Sequence, residues 1–348
     1  MPATIRDIAQ ACNVSPATVS RALNGHPAVL PTTRERILRV AREQGYTPFP
    51  NSRLIHQQRE ASIAVFLPTK STTALDNPFC ALALSGVVDE MEHRHGAVTL
   101  PSSAALEELR TLPLSLSALR GVEGVLVLFR QLSEEESEGL AKAGLPYLVV
   151  GHKPETSGVP YICFNMEAGS AEAVRHLTEL GHTSVGYWGW RIEDSIRGFR
   201  RGLFESGLTV NEDWIVTPRR RFDREDWDEM FDWGLLRARD LPTAFLCHND
   251  LVAEQLVRRA RALGLSVPGD VSVVGFDDLP MAALHDPPLT TVRQPVYEMA
   301  LRGVRGLMDI LRKKQQTVCE TVAPEFVVRA SATSPAAQAR SQEQRRTG

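Results

Sequence analysis

The stretch that most constrains this chain is short and lies at its front. In residues 4–24, Ile5, Ile8, Ala9 and Cys12 recur at i, i+3, i+4 and i+7, which draws one apolar face on a short helix. Asn13 follows where a tight turn needs a left-handed residue, a conformation Asn tolerates better than most. Ser15 and Pro16 then read as an N-cap and a first helical residue. Val19, Ala22 and Leu23 turn the second helix inward and leave Thr18, Ser20 and Arg21 outside. Two helices, a tight turn and a polar outer face make a helix-turn-helix of the kind that enters a DNA major groove. An amphipathic hairpin in some other small domain is the plainer alternative, because short motifs recur by chance.

The run is more specific than the general motif. Val14-Ser15-x-Ala17-Thr18-Val19-Ser20-Arg21-x-Leu23-Asn24 resembles the start of the LacI/GalR family of bacterial transcriptional regulators. Later landmarks keep the family's order: Asn77-Pro78-Phe79, Leu180-Gly181-His182, Gly198-Phe199, His248-Asn249-Asp250, Val273-Val274-Gly275-Phe276-Asp277-Asp278 and Leu289-Thr290-Thr291-Val292-x-Gln294-Pro295. The resemblance covers about residues 3–330. It implies an all-α helix-turn-helix domain followed by an α/β core like the periplasmic sugar-binding proteins, two doubly wound parallel-sheet lobes closing on a small ligand.

Bulk properties agree. A chain of 348 residues exceeds one ordinary core, so two or three compact units are expected. Hydrophobic content of 43% with 23% charge is that of a soluble globular protein, and no apolar run reaches the roughly 18 residues of a membrane span. No charged-then-apolar leader opens the sequence. The five cysteines are scattered without a CxxC, which suggests neither zinc nor a disulfide framework and fits a reduced cytoplasm. Net charge is −3 but uneven. Residues 1–60 hold eight arginines and no lysine against four carboxylates, a net +4, so the remainder carries −7. A basic front on an acidic body suits a phosphate-facing head, though a modest arginine excess is also an ordinary solvated face.

Domain limits follow from the rhythm of the chain. Residues 1–48 form the head, closed by a third helix opening at Pro31 with Ile37, Val40 and Ala41 inward. Leu30 stands just before that helix where the family usually has a serine. Residues 49–61 are a linker, extended at Pro48 and Pro50 and then briefly helix-compatible. The resemblance makes this segment a hinge helix that drives Ile55 into a minor-groove step, where the family usually has Leu. The alternative is a plain linker with Leu54 and Ile55 packed on the body. Residues 62–330 are the core. Continuous apolar runs at Ile63–Leu67, Val125–Phe129, Leu148–Val150, Ser184–Tyr187, Ala244–Cys247 and Val271–Phe276 alternate with helical stretches, the pattern of parallel sheets buried on both faces. We assign lobe 1 to about 62–160 plus 291–328 and lobe 2 to about 161–290. Residues 331–348, rich in Ser, Ala, Gln and Arg, read as a disordered tail.

The resemblance implies DNA contacts from Thr4, Ser15, Pro16, Ala17, Thr18, Ser20, Arg21, Asn24, Arg53 and Ile55. Ala17 suits a thymine methyl. Two identical heads on a homodimer imply a near-palindromic double-stranded operator. For the effector, a small molecule such as a sugar, ligands of α/β sheets bind beyond the carboxyl ends of strands. Asn249 and Asp277 sit there, with Asn and Asp supplying the donors and acceptors a polyol needs. Asp250 reads as the cap of the next helix. Phe222 is a candidate platform, and Lys70 and Phe79 are candidates from the first lobe. Three positions break the family pattern. Ser195 replaces an arginine, Gly151-His152 a carboxylate and Phe164 an aspartate, so Arg191 or Arg197 would have to stand in. Trp188, Trp190, Phe164 and His152 would make the pocket more aromatic. No metal, cofactor or catalytic residue is expected: there is no GxSxG elbow, and His93 and His95 do not share a helical face. A solute-binding protein or an enzyme on the same scaffold remains the alternative that fold alone does not exclude.

Overall fold

The computed structural model describes residues 4–23, 28–44, 61–68, 77–101, 119, 121–130, 132–218, 231–238, 240–314 and 317–335. The hinge residues Arg53 and Ile55, the end of the head at 48, and Asn24, Lys70 and Phe222 lie outside them.

The head is three helices around one small core. Helix α1 (Ile5–Ala11) starts with a capping box: Asp7 N–H donates to Thr4 Oγ1 at 3.4 Å, and Thr4 N–H donates to Asp7 Oδ2 at 2.7 Å. Asn13 has φ 47°, the left-handed turn its residue type suggests. Helix α2 (Pro16–Leu23) is capped by Ser15, whose Oγ accepts Thr18 N–H at 3.1 Å. Helix α3 (Pro31–Glu43) follows Leu30, whose side chain is 70% exposed and has no oxygen to cap with. Ile8, Ala9, Cys12, Val19, Ala22, Val29, Ile37 and Ala41 are buried together.

The core contains two six-stranded sheets with one strand order. The first runs β11-β5-β4-β3-β1-β2 and the second β12-β10-β9-β8-β6-β7. The first-sheet strands are β1 (Ser62–Phe66), β2 (Ala97–Thr99), β3 (Gly124–Leu128), β4 (Tyr147–Gly151), β5 (Tyr161–Phe164) and β11 (Cys319–Val322). The second sheet holds β6 (Val185–Trp188), β7 (Ile215–Val216), β8 (Ala244–Cys247), β9 (Ser272–Asp277), β10 (Thr290–Arg293) and β12 (Glu325–Val327). Central pairs are parallel, and β12 runs antiparallel to β10. Strands β1 and β3 are buried at every position, because helices cover both faces.

The intervening helices are α4 (Pro78–His93), α5 (Glu134–Lys142), α6 (Met166–Glu179), α7 (Glu193–Glu205), α8 (Asp250–Ala262) and α9 (Val296–Leu311). Among the described residues, no helix is long and apolar enough to cross a membrane.

Two boundaries differ from the sequence reading. The lobes exchange segments: β5 at 161–164 lies in the first sheet, whereas β10 at 290–293 and β12 at 325–327 lie in the second. Pairing decides this, since β5 joins both β4 and β11, and β10 joins both β9 and β12. Helix α9 nonetheless packs on β3, β4 and β5. The chain therefore passes between lobes three times, at 165, at 294–295 and at 323–324. The ordered chain also runs past 330. Ser331 is fully buried, donating to Val273 O at 2.5 Å and accepting Thr290 N–H at 2.8 Å. Thr333 O meets His182 Nε2 at 2.8 Å. Residues 331–335 thus depart from the expected disordered tail, their hydroxyls and backbone bonding the amino ends of β9 and β10, and 336–348 lie outside the described residues.

Candidate functional site

On the head, the geometry separates capping from presentation. Ser15, Pro16, Ala17 and Arg21 are exposed, and Thr18 and Ser20 are half-buried. Ser15 Oγ and Thr18 Oγ1 also share a hydrogen bond at 2.8 Å. Thr4 is exposed, but its hydroxyl donates to Asp7 Oδ2 at 2.7 Å. Arg21 is the basic residue in the last turn of α2 and stands in solvent.

In the core, the carboxyl ends of both sheets meet around a cavity of about 200 Å³. The first lobe supplies Pro68, Asn77, Phe79, Cys80, Phe129, Gly151 and His152; the second supplies Ile192, His248, Asn249, Leu251 and Asp277, with Met166 and Gln294 just past two of the crossings. Four of the residues singled out from the sequence come together here: Phe79, His152, Asn249 and Asp277. Phe79 meets Phe129 edge-on, with ring centroids 4.5 Å apart. Gly151 makes room for that pair: it has φ 106°, and a Cβ there would collide with the Phe129 ring.

Asn249 caps α8, its Oδ1 accepting Val252 N–H at 2.9 Å, so its amide N–H groups are left to face the cavity. The cap is thus Asn249 and not Asp250. Asp277 closes β9 with φ 109°. Burial raises its carboxyl pKa well above the usual range, and the nearby Asp250 adds to the shift. Burial likewise pushes the Cys80 thiol to about 11, with Asp277 contributing. His248 is pushed down to about 4 by burial. His152 is lowered by burial against the opposing pull of a hydrogen bond to the Phe129 backbone and of Asp194. Both imidazoles are neutral near pH 7, so each offers one donor and one acceptor. The cavity offers hydrogen-bonding groups on an aromatic and aliphatic wall.

Ser195 is not on this wall. It is buried between Ser170 Oγ at 3.2 Å and Tyr187 OH at 3.2 Å. Tyr187 OH in turn lies 3.3 Å from His248 Nδ1, so Ser195 stands one residue behind the lining. Trp188 is also displaced, stacked on Trp233 at 5.1 Å and edge-on to Phe245 at 5.4 Å within the second-lobe core. Phe164 pairs with Phe276 at 5.7 Å. Trp190 supports His248 from behind at 5.6 Å. Arg197 is engaged at the surface by Glu167 and Asp194, and Arg191 is exposed. The extra aromatic residues fill the lobe because apolar rings at strand ends pack inward before they line a polar cleft. His248 and Gln294 were quoted as landmarks without being read as lining. Their signal was position, each directly following a strand.

Two stretches of the chain match known family models. Residues 4–49 match the model for bacterial regulatory proteins of the lacI family, and residues 174–332 match a periplasmic binding protein-like domain. The HTH-type transcriptional repressor PurR of Vibrio vulnificus is 30% identical over 337 residues, covering 94% of this chain and 98% of its own. Catabolite control protein A of Priestia megaterium is 28% identical, covering 90% and 94%. Among solved structures, a transcriptional regulator CelR–cellobiose complex is 26% identical with a TM-score of 0.66, covering 95% of this chain and 100% of that one. The lac repressor dimer bound to operator and an anti-inducer shares the fold with a TM-score of 0.71 at 21% identity, covering 96% and 100%.

Proposed function

The chain belongs to the lacI family of bacterial regulatory proteins, and from that premise we propose a ligand-responsive DNA-binding transcriptional regulator, acting as a repressor. The observation that carries the reading is the pairing, in one chain, of a three-helix head presenting Ser15, Pro16, Ala17 and Arg21 with a two-lobed core that closes a cavity. The head lays α2 in the major groove, with Arg21, Thr18 and Ser20 against it and Ala17 near a thymine methyl. Thr4 and Ser15 hold the helix ends and present backbone N–H groups to phosphate. A homodimer in the cytoplasm places two heads on a near-palindromic operator. Asn24, Arg53 and Ile55 complete the DNA surface.

The effector is a small molecule, a sugar or a related metabolite, held by Asn249 and Asp277 from one lobe and by Phe79 and His152 from the other. Lys70 and Phe222 add to the same site, and Ser195 acts through Tyr187 and His248. The protein uses no metal or cofactor and performs no catalysis. An effector shifts operator affinity only as far as it binds the two lobe arrangements differently. The test is footprinting of the full-length protein on genomic fragments flanking its gene, with and without a panel of sugars and nucleosides. Protection of one near-palindromic site that a panel member strengthens or relieves supports the reading. Equal binding to all fragments at low salt overturns it.

A further inference from the structure

The most constrained group around the cavity does not line it. Asp250 is fully buried at the first position of α8, directly after Asn249. Its Oδ2 accepts Leu279 N–H at 2.8 Å, and its Oδ1 accepts Thr291 Oγ1–H at 2.7 Å. Leu279 follows two consecutive residues in left-handed backbone, Asp277 at φ 109° and Asp278 at φ 55°. Neither is glycine, so both are held there at a conformational cost.

The turn has other ties. Gln294 N–H donates to Asp277 O at 3.1 Å. The Asp278 carboxylate sits between Arg293 Nε at 2.7 Å and Arg329 Nη2 at 2.6 Å. Those ties fix the Asp277 backbone and the Asp278 side chain. Asp250 fixes the exit of the turn from beneath. Room for it comes from Gly275, where a Cβ would collide with Asp250 Oδ1 and Leu289. Thr291 stands opposite Gly275 in the β9–β10 pairing, so its hydroxyl reaches the same carboxylate.

We infer that Asp250 is a positioning residue of the cleft, holding the Asp277–Asp278 turn so that Asp277 faces the cavity and locking that turn to Asn249, its neighbour in the chain. One carboxylate thereby sets the relative placement of two cavity-lining groups that lie 28 positions apart in sequence. This deepens the effector-cleft reading and rests on it only for the purpose of the cavity.

The test needs neither DNA nor effector, so its failure leaves the regulator reading standing. Each cysteine of the full-length protein is alkylated with iodoacetamide and followed by peptide mass spectrometry. Cys80 lies on the cavity wall within electrostatic reach of Asp277, Cys163 is buried in β5 of the first sheet, and Cys319 is in solvent. In Asp250→Ala, the Cys80 rate rises about five-fold or more, as expected when a buried hydrogen-bonded tether is removed. Cys163 and Cys319 keep their rates. Asp250→Asn restores slow Cys80 alkylation, because its amide oxygen still accepts Leu279 N–H and Thr291 can turn its hydroxyl to accept. Thr291→Val, which leaves the carboxylate in place, gives a smaller rise and serves if the alanine variant does not fold. An unchanged Cys80 rate in Asp250→Ala, or in Thr291→Val where the alanine variant does not fold, overturns the inference. So does a rise in which Cys163 moves together with Cys80, which would make Asp250 a general stabiliser of the core.

Discussion

The head and the cleft solve opposite problems. The head turns its polar groups outward from a single helix, and its core is eight small or branched residues drawn from fewer than forty positions. The cleft turns its polar groups inward, and its wall is collected from strand ends, helix starts and loops between Pro68 and Gln294. In the head, a helical face is decided by neighbours three and four residues away. In the cleft, which residues meet is decided by the order of strands in two sheets. A surface built locally is robust to changes elsewhere, whereas one built from many loops depends on groups that never touch the ligand.

The largest separation of the two regions comes from the head core. Ile37→Ala removes a fully buried side chain and costs about 2–5 kcal/mol, more than a three-helix unit tolerates. Operator binding is lost in a gel shift while the main calorimetric transition of the core stays in place. A joint loss would mean that the two regions do not fold separately. Next comes Arg21→Ala, which weakens operator affinity by about 1–3 kcal/mol and leaves effector-induced thermal shifts unchanged.

Asn249 sharpens the comparison inside the cleft. Asn249→Ala loses the α8 cap, about 1 kcal/mol of stability, together with the amide facing the cavity. Asn249→Asp keeps an acceptor for Val252 N–H and removes the amide donors. Differential scanning fluorimetry with the sugar and nucleoside panel therefore finds near-native melting but a lost ligand response in the Asp variant, and both losses in the Ala variant.

The smallest effect is the pH dependence that the cleft contributes. Asp250 is pushed from 3.8 to about 7 by burial, the hydrogen bonds from Thr291 and Leu279 opposing, and Asp277 moves the same way. The folded chain holds these protons more tightly than the unfolded chain. The Asp250 contribution is complete below about 4 and is lost as pH rises through about 7, and that of Asp277 is lost over a window that opens at the same point. His248 acts on the other side. Lowered from 6.5 to about 4, it contributes above its unfolded value and loses that contribution as pH falls. Between about pH 4 and 7 the melting temperature of Asp277→Asn should fall less with rising pH than that of the parent chain. An unchanged slope across that range would contradict the assignment.

The head was legible in the sequence because every device in it is short-range. Asn13, Ser15, Pro16 and the inward Ile8, Val19 and Ala22 are all where the pattern places them. Of the cleft, Asn249 and Asp277 were legible because one comes two residues after an apolar strand and the other ends one. His248 and Gln294 carried the same signal and were passed over. Ser195 and Trp188 show the limit. Each lies near a strand end in sequence, yet a hydrogen bond to Tyr187 and a stack on Trp233 draw them off the wall. Those partners come from elsewhere in the fold, and no periodicity announces them. The lobe allocation failed for a similar reason: β5 and β10 each take the sheet in which they gain two partners, a long-range choice that chain order does not carry.

The three passages between the lobes have a practical corollary for anyone recombining such proteins. Neither lobe is a contiguous cassette, because each sheet borrows strands from both sides of the other. Exchanging one lobe for that of a relative would require splicing at three seams, and cutting at any single seam leaves at least one sheet incomplete. A new sensing specificity must therefore be transplanted with the whole core as one block, whereas the small front unit can be traded at a single joint.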